Sequence, residues 1–190
     1  MRTPPKLHTD TPLATGLKVL FSQLEQHLAL KEPIDAYLAG GIAVHLYTAS
    51  RVTKDVDVEF SKRVIFPDLI AKVPQAGGRF LGLHFDKNYN PAFALVHQDY
   101  AKAAIALDVG LKSIRLHVLS PADLAVSKIW CFADQDKADI SALMRHGLTS
   151  ADEIEQRATS AMNDYVGNKG PLILNLRDAL VLAREAELGR

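Results

Sequence analysis

One stretch of the sequence constrains the fold more than any other: AGGIAVHLYTASRVTKDVDVEF, at residues 39–60. The apolar run from Ile34 to Leu38 before it has the length of a buried strand, and Gly40-Gly41 ends that run. Helix-like apolar residues follow, and acidic and apolar residues then alternate up to Phe60. A period of two is typical of a strand with two different faces. The stretch therefore predicts a strand, a glycine turn, a helix and a second strand, in that order.

The same stretch carries groups that suit a phosphate and a hard cation. Glycines at a helix N-terminus, here Gly40 and Gly41, let backbone N–H groups approach an anion closely. Asp55 and Asp57 would lie on one strand face about 7 Å apart, and Mg²⁺ prefers such oxygen ligands and shares them with substrate phosphates. A Gly-Gly pair alone is more often an ordinary turn, and an Asp-x-Asp alone is more often a solvated strand face. The evidence for a functional site is therefore the spacing between the two motifs. Arg51 fits a phosphate contact and a pairing with a nearby acid equally well.

A third carboxylate, Asp108, lies in the apolar run from Ala104 to Val109. A lone aspartate in a buried strand is costly. A two-metal site needs a carboxylate on the side of the attacking hydroxyl, and Asp108 can supply it if its strand neighbours the strand of Asp55 and Asp57. The alternative is a capped or paired structural acid.

The remaining patterns predict a mixed sheet followed by helices. We expect an α/β (α+β) fold, with a mixed sheet flanked by helices at residues 11–119 and a C-terminal helical bundle at 120–190. The individual expectations are a helix capped by Thr11, a brief helix after Pro67, a hairpin of Arg79 to Phe85 with Ala92 to His97, a strand from Ile114 to Leu119, and helices from Ser120-Pro121 onward with breaks near Gly147 and at 168–171.

Composition excludes several classes of function. The 22 basic and 22 acidic residues cancel, so no charge excess indicates nucleic acid or a membrane surface. The single cysteine, Cys131, cannot form an intramolecular disulfide. Seven histidines show no zinc-ligand spacing. Because no signal-peptide or membrane-spanning pattern is present, we expect a cytoplasmic protein with no membrane partner.

The combination of Gly-Gly, a spacer of helix length, Asp-x-Asp and a later acidic strand resembles the nucleotidyltransferase superfamily, which has the polymerase-beta-like fold. Residues 51–57, RVTKDVD, are similar to the R-x-T-x-D-x-D motif of AbiEii/MenT-like toxins and DUF6036-type nucleotidyltransferases. The segment SPADL at 120–124, followed by Lys128 and by the Asp136 to Asp139 stretch, is similar to their S-P-x-D-L, K, D-x-x-D pattern. This chain has Asp134-Gln135 where that family usually has a basic residue.

The resemblance implies a two-metal, Mg²⁺-dependent enzyme that moves a nucleoside monophosphate from a nucleoside triphosphate (NTP) to an acceptor hydroxyl. It further implies a toxin of a toxin–antitoxin or abortive-infection system, with a tRNA 3′ end or a protein hydroxyl as acceptor and a cognate antitoxin as partner. Two alternatives stay open: a nucleotide-binding or interaction module that has lost turnover, and a small-molecule nucleotidyltransferase of the aminoglycoside-modifying type. The implied site consists of the catalytic, metal-binding residues Asp55, Asp57 and Asp108, and the nucleotide-binding residues Gly40, Gly41, Arg51, Lys128 and Asp139.

Two of these residues also have a structural interpretation. Lys128 could be a surface lysine whose stem covers apolar neighbours. Asp136 and Asp139, one helical turn apart, could form a solvated stripe with Lys137.

Overall fold

The computed structural model describes residues 5–90 and 94–189. The chain forms two compact units, of which the first comprises Met1–Tyr89 and Ile105–Val118 and the second comprises Asn90–Ala104 and Leu119–Arg190. The segment 90–104 thus groups with the second unit, although it lies inside the predicted first half at 11–119. Over the two described ranges, no helix is long and apolar enough to cross a membrane.

The first unit contains two helices and the strands of the sheets. The helices are α1 (Pro12–Leu28) and α2 (Gly40–Thr48). The strands are β1 (Ile34–Leu38), β2 (Asp55–Val56), β3 (Val58–Phe60), β4 (Ala71–Pro74), β5 (Phe80–Phe85), β6 (Ile105–Leu107) and β7 (Ile114–Val118), and a 3₁₀ turn lies at Ala76–Gly78.

The strands form a mixed sheet arrangement, as the sequence predicted. One sheet has the order β3-β1-β7-β6, in which β1 is parallel to β7 and antiparallel to β3, and β6 is antiparallel to β7. The other has the order β2-β5-β4, in which β5 is parallel to β2 and antiparallel to β4. Asp57 lies between β2 and β3, so the predicted acidic strand is one segment that joins the two sheets.

Helix α1 forms because its apolar residues repeat at helical spacing and its start is capped. The Thr11 side chain accepts the N–H of Ala14, which confirms the predicted cap. The apolar face of α1 is buried and contacts β4 and β5. Near its C-terminal end, Glu25 accepts the backbone N–H groups of Lys112, Ser113 and Ile114 at 2.9, 2.6 and 3.1 Å. One carboxylate oxygen thereby fixes the turn from which β7 begins.

The second unit is helical, as predicted for residues 120–190. Its helices are α3 (Tyr100–Ala103), α4 (Pro121–Ser127), α5 (Asp134–Arg145), α6 (Ala151–Asp164) and α7 (Lys169–Leu188). Helix α4 packs on α5 and α6, and α7 packs on α5 and α6. The caps follow the sequence, because Ser120 accepts the N–H of Asp123 and Ser150 forms a capping box with Glu153.

Two local predictions are wrong. The segment after Pro67 is not helical; it leads into β4. Strand β5 forms, but it pairs with β4 and β2, and the described residues 94–97 are not its partner. Residues 91–93 lie outside the described residues, and 94–97 are not a strand. The physical reason is the turn at Gly77-Gly78, where both glycines have positive φ, 74° and 71°, and join β4 to β5 as a tight hairpin.

Candidate active site

The glycine turn and Asp57 occupy one place in the first unit. Gly40 has φ of 60°, and a Cβ atom on it would lie 1.7 Å from Oδ2 of Asp57. A Cβ atom on Gly41 would lie 3.2 Å from Cβ of Thr53. The backbone N–H of Ala39 donates to the carbonyl of Asp57 at 2.9 Å. The RVTKDVD segment therefore folds directly over the turn, and the turn needs glycines because the acidic strand approaches it so closely.

This contact places a carboxylate at the N-terminus of α2. The first turn of α2 contains no acidic residue, and its N-cap, Ala39, has no side chain that accepts a hydrogen bond. A helix N-terminus without a side-chain cap attracts anions. A phosphate and the Asp57 carboxylate repel each other there unless a cation lies between them. The geometry therefore suits a phosphate that arrives together with a metal ion.

Asp55 makes a different contact from Asp57. Its carboxylate Oδ1 lies 3.0 Å from Nε2 of His84, and its side chain is 45% exposed. The parallel pairing of β2 with β5 puts the two residues side by side. The other ring nitrogen of His84, Nδ1, lies 3.2 Å from the carbonyl of Gly82. The aspartate pair thus has one carboxylate at the glycine turn and one at β5.

Tyr89 adds a hydroxyl near the acidic strand. Burial raises the pKa of Tyr89 well above its usual range, and the charges of Asp57 and Glu59 raise it further. The phenol therefore stays neutral at any ordinary assay pH. It lies near enough to Asp57 and Glu59 for their negative charges to act on it.

Arg51 lies beside the second glycine of the turn. A Cβ atom on Gly41 would be 3.4 Å from Nε of Arg51. The backbone carbonyl of Arg51 accepts a hydrogen bond from Nδ1 of His45 at 2.6 Å, and Thr11 lies 2.8 Å from Nε2 of the same ring. Burial lowers the pKa of His45, which favours the neutral ring. The ring connects α2 to the loop that carries Arg51. The position of Arg51 agrees with a phosphate contact, which stays a prediction.

Asp108 does not lie beside Asp55 and Asp57. It follows β6, at the opposite edge of the four-stranded sheet from β3, about 14 Å away by three strand spacings. The residue is exposed, and its Oδ1 accepts the N–H of Gly110 at 2.9 Å. Its strand is therefore not a neighbour of the segment that carries Asp55 and Asp57, so the condition for a metal shared by all three carboxylates is not met in this structure. The reason is strand order: β7 pairs with β1, and β6 turns back onto the far side of β7.

The described part of the chain has no larger acidic cluster in place of Asp108. Within the described ranges, no group of three or more His, Cys, Asp or Glu side chains could hold a metal ion. Mg²⁺ is commonly held by one or two carboxylates together with substrate phosphates and water.

Lys128, Asp136 and Asp139 form a buried cluster within the second unit. The Lys128 Nζ lies 3.4 Å from Oδ1 of Asp136 and 3.0 Å from Oδ2 of Asp139. The side chains of Lys128 and Asp139 are only 13% and 2% exposed. Gln135, which stands where the resembling family has a basic residue, donates its amide N–H to Asp139 at 3.1 Å. The cluster is thus an ion-paired core feature and not a solvated stripe, and its nucleotide contact stays a prediction.

The aspartate of the SPADL segment has a structural role that its neighbouring residues do not signal. Asp123 is fully buried and receives two hydrogen bonds from Arg157, at 2.6 and 2.9 Å, and one from the Ser120 hydroxyl at 2.7 Å. This bidentate pair ties α4 to α6. The Ser-Pro-x-Asp spacing signalled a helix start, but nothing local pointed to an arginine 34 residues later.

A mixed sheet, a glycine turn and an Asp-x-Asp strand against that turn are the arrangement of the nucleotidyltransferase superfamily, as the sequence resemblance implied. The family model described as "Nucleotidyltransferase of unknown function (DUF6036)" matches residues 15–170. The match covers most of the chain, so the protein belongs to this nucleotidyltransferase family.

Other similarities are more distant. The crystal structure of an antigenic nucleotidyltransferase-like protein from Paracoccidioides brasiliensis is similar over 96% of this chain and 91% of that chain, with 17% sequence identity and a TM-score of 0.41. No curated protein matches the sequence significantly.

Proposed function

We propose that this protein transfers a nucleoside monophosphate from an NTP to an acceptor hydroxyl at the glycine turn and the Asp55/Asp57 pair. One observation carries the proposal: the Asp57 carboxylate packs directly on Gly40. The carboxylate proposed to bind the metal therefore lies against the turn proposed to bind the phosphate. In the reaction, the acceptor oxygen bonds to the α-phosphorus and the bond from that phosphorus to the bridging oxygen breaks. Pyrophosphate leaves, and the hydroxyl proton passes to solvent.

The donor groups fit a hard divalent cation. Asp55 and Asp57 offer carboxylate oxygens from one strand segment, both partly exposed. Mg²⁺ is usually held by one or two carboxylates together with substrate phosphates and water. When bound, Mg²⁺ would neutralise charge on the reacting phosphates and polarise their oxygens.

The remaining residues would position the triphosphate. Backbone N–H groups at Gly40 and Gly41 would bind phosphate oxygens, with Arg51 as a charged neighbour. The Tyr89 hydroxyl would donate to a ligand held by Asp57. The sequence resemblance separately implies a nucleotide contact for Lys128 and Asp139.

Nucleotide binding and transfer test the proposal together. We expect the full chain to bind NTP only with Mg²⁺ or Mn²⁺, as measured by calorimetry, and to transfer label from α-³²P-NTP to an acceptor. Asp57→Asn, which keeps the shape and removes the charge, should abolish both. Asp178→Asn, at an exposed position on α7, is the matched control and should change neither. Tight NTP binding without transfer in any variant would instead favour the module that has lost turnover.

The toxin role and its partners rest on the sequence resemblance. Under this part of the proposal, the acceptor is a tRNA 3′ end or a protein hydroxyl, in the cytoplasm, and a cognate antitoxin restrains the enzyme. Expression in a bacterial host should then arrest growth, and Asp57→Asn should relieve the arrest. Equal growth with both forms would remove the toxin role and leave nucleotidyl transfer to be judged separately.

A further inference from the structure

A cavity of about 550 Å³ opens next to Asp55 within the first unit. Its walls come from the segment before β4, from the end of β5 and from the turn that follows β5. The lining residues include Asp55, His84 and Phe85, with Leu69 and Ile70 opposite. A volume of this size suits a small molecule.

The cavity lies on the Asp55 side of the aspartate pair. Asp57 packs against Gly40, whereas Asp55 contacts His84, which lines the cavity. The lining contains Asp55 but neither glycine of the turn. If the triphosphate binds at the turn, as in the proposed function on which this inference rests, the cavity is where the other reactant can reach the metal carboxylates.

The chemistry of the walls selects among acceptors. Leu69 and Ile70 give the cavity an apolar surface for a ring, and the buried Phe85 borders the same cavity. Two further carboxylates, Asp68 and Asp86, line the cavity. Its one lysine, Lys87, is already ion-paired with Asp68.

These walls do not suit a polyanion. An RNA acceptor needs cationic partners for its phosphates, and the lining offers an excess of carboxylates. Asp86 uses Oδ1 to accept the N–H of Asn88 at 2.8 Å, which holds its carboxylate in place without neutralising it. A ligand amine can therefore form a charge-assisted hydrogen bond with Asp86.

We propose that this cavity binds the acceptor, and that the acceptor is a small, ring-containing molecule bearing hydroxyl and amino groups, in place of the tRNA 3′ end or protein hydroxyl that the sequence resemblance implies. The ring packs on the apolar wall, an amine pairs with Asp86, and a hydroxyl is presented to the nucleotide at Asp55.

Sugar binding tests the proposal without metal or nucleotide. The probes are a glucosamine dimer and its N,N′-diacetylated form, which differ in charge and share the ring system, titrated by calorimetry into the full chain. We expect the amine form to bind at least about tenfold more tightly, and Asp86→Asn to remove most of that difference. The amide oxygen can still accept the Asn88 N–H, so this variant keeps the turn.

A pair of tryptophan substitutions controls for folding. Ile70→Trp fills the cavity and should abolish binding of the amine probe. Ile65→Trp adds the same bulk to the same loop, at a residue that is 78% exposed and does not line the cavity, and should bind as the unmodified protein does. NTP binding with Mg²⁺ should be unchanged in both variants.

Three results would overturn the inference: equal affinity for the two sugars, unchanged sugar binding in Ile70→Trp, or label transfer to total tRNA with none to the amine probe. Failure of the proposed function can be distinguished from failure of this inference. It would appear as absent NTP binding in the unmodified protein, whereas the sugar titration tests the cavity independently of NTP.

Discussion

Replacement of Gly40 by alanine tests the site most sharply among single substitutions. The added Cβ atom would lie 1.7 Å from Oδ2 of Asp57, where a normal contact is about 3.5 Å. The carboxylate must therefore move by about 2 Å. Misplacement of a positioning group by 1 Å can cost roughly 100-fold in rate, so we expect Gly40→Ala to lose at least about 100-fold in nucleotidyl transfer. The φ of 60° adds about 1–2 kcal/mol of backbone strain.

The chain supplies a matched control for that strain. Gly77 has φ of 74°, and a Cβ atom on it would meet nothing within 4 Å. Gly77→Ala should therefore lose about 1–2 kcal/mol of unfolding free energy in urea denaturation and keep full transfer activity. The reasoning is refuted if Gly40→Ala, folded by the same denaturation assay, binds NTP with Mg²⁺ and transfers label as the unmodified protein does.

Three further predictions concern groups away from the turn. Burial opposes ionisation of Glu25, but hydrogen bonds from Ser113, Lys112 and Ile114 outweigh it and lower the pKa. The folded-state pKa of Glu25 lies below the unfolded one, so its stabilisation is present above the unfolded pKa and is lost as pH falls through the folded pKa. Glu25→Gln should therefore flatten the acid side of a plot of unfolding free energy against pH, and an unchanged plot would contradict this. Asp123→Asn should lower the unfolding free energy, measured by urea denaturation, by about 3 kcal/mol because it leaves the Arg157 charge without its buried partner. A loss below about 1 kcal/mol would show that the Asp123–Arg157 pair contributes little to stability. Asp108→Asn should leave transfer within about twofold, given its distance from the aspartate pair, whereas a 100-fold loss in a kinetic assay would restore it as a third carboxylate.

The parts of the site that the sequence predicted are local in the chain. The strand, glycine turn, helix and acidic strand follow one another within residues 34–60, and each is signalled by its own residues. The contact of Asp57 with Gly40 follows from that order, because a strand that returns antiparallel to β1 must pass the turn at the end of β1.

The local sequence patterns do not predict the order of the strands in the sheets. The apolar run before Asp108 correctly indicated a strand, yet its place in the sheet depends on β7 pairing with β1, which no local pattern encodes. The contact of Asp55 with His84 has the same origin, since it arises from the parallel pairing of β2 with β5. The cavity beside Asp55 depends in turn on that pairing, so it could be found only in three dimensions.

One crystal structure would test the central claim most directly. Crystals soaked with Mn²⁺ and a non-hydrolysable NTP analogue should show an anomalous peak within about 2.5 Å of carboxylate oxygens of both Asp55 and Asp57. The triphosphate should lie against the backbone N–H groups of Gly40 and Gly41. A metal and nucleotide bound elsewhere, with no metal at Asp55 and Asp57, would contradict the account.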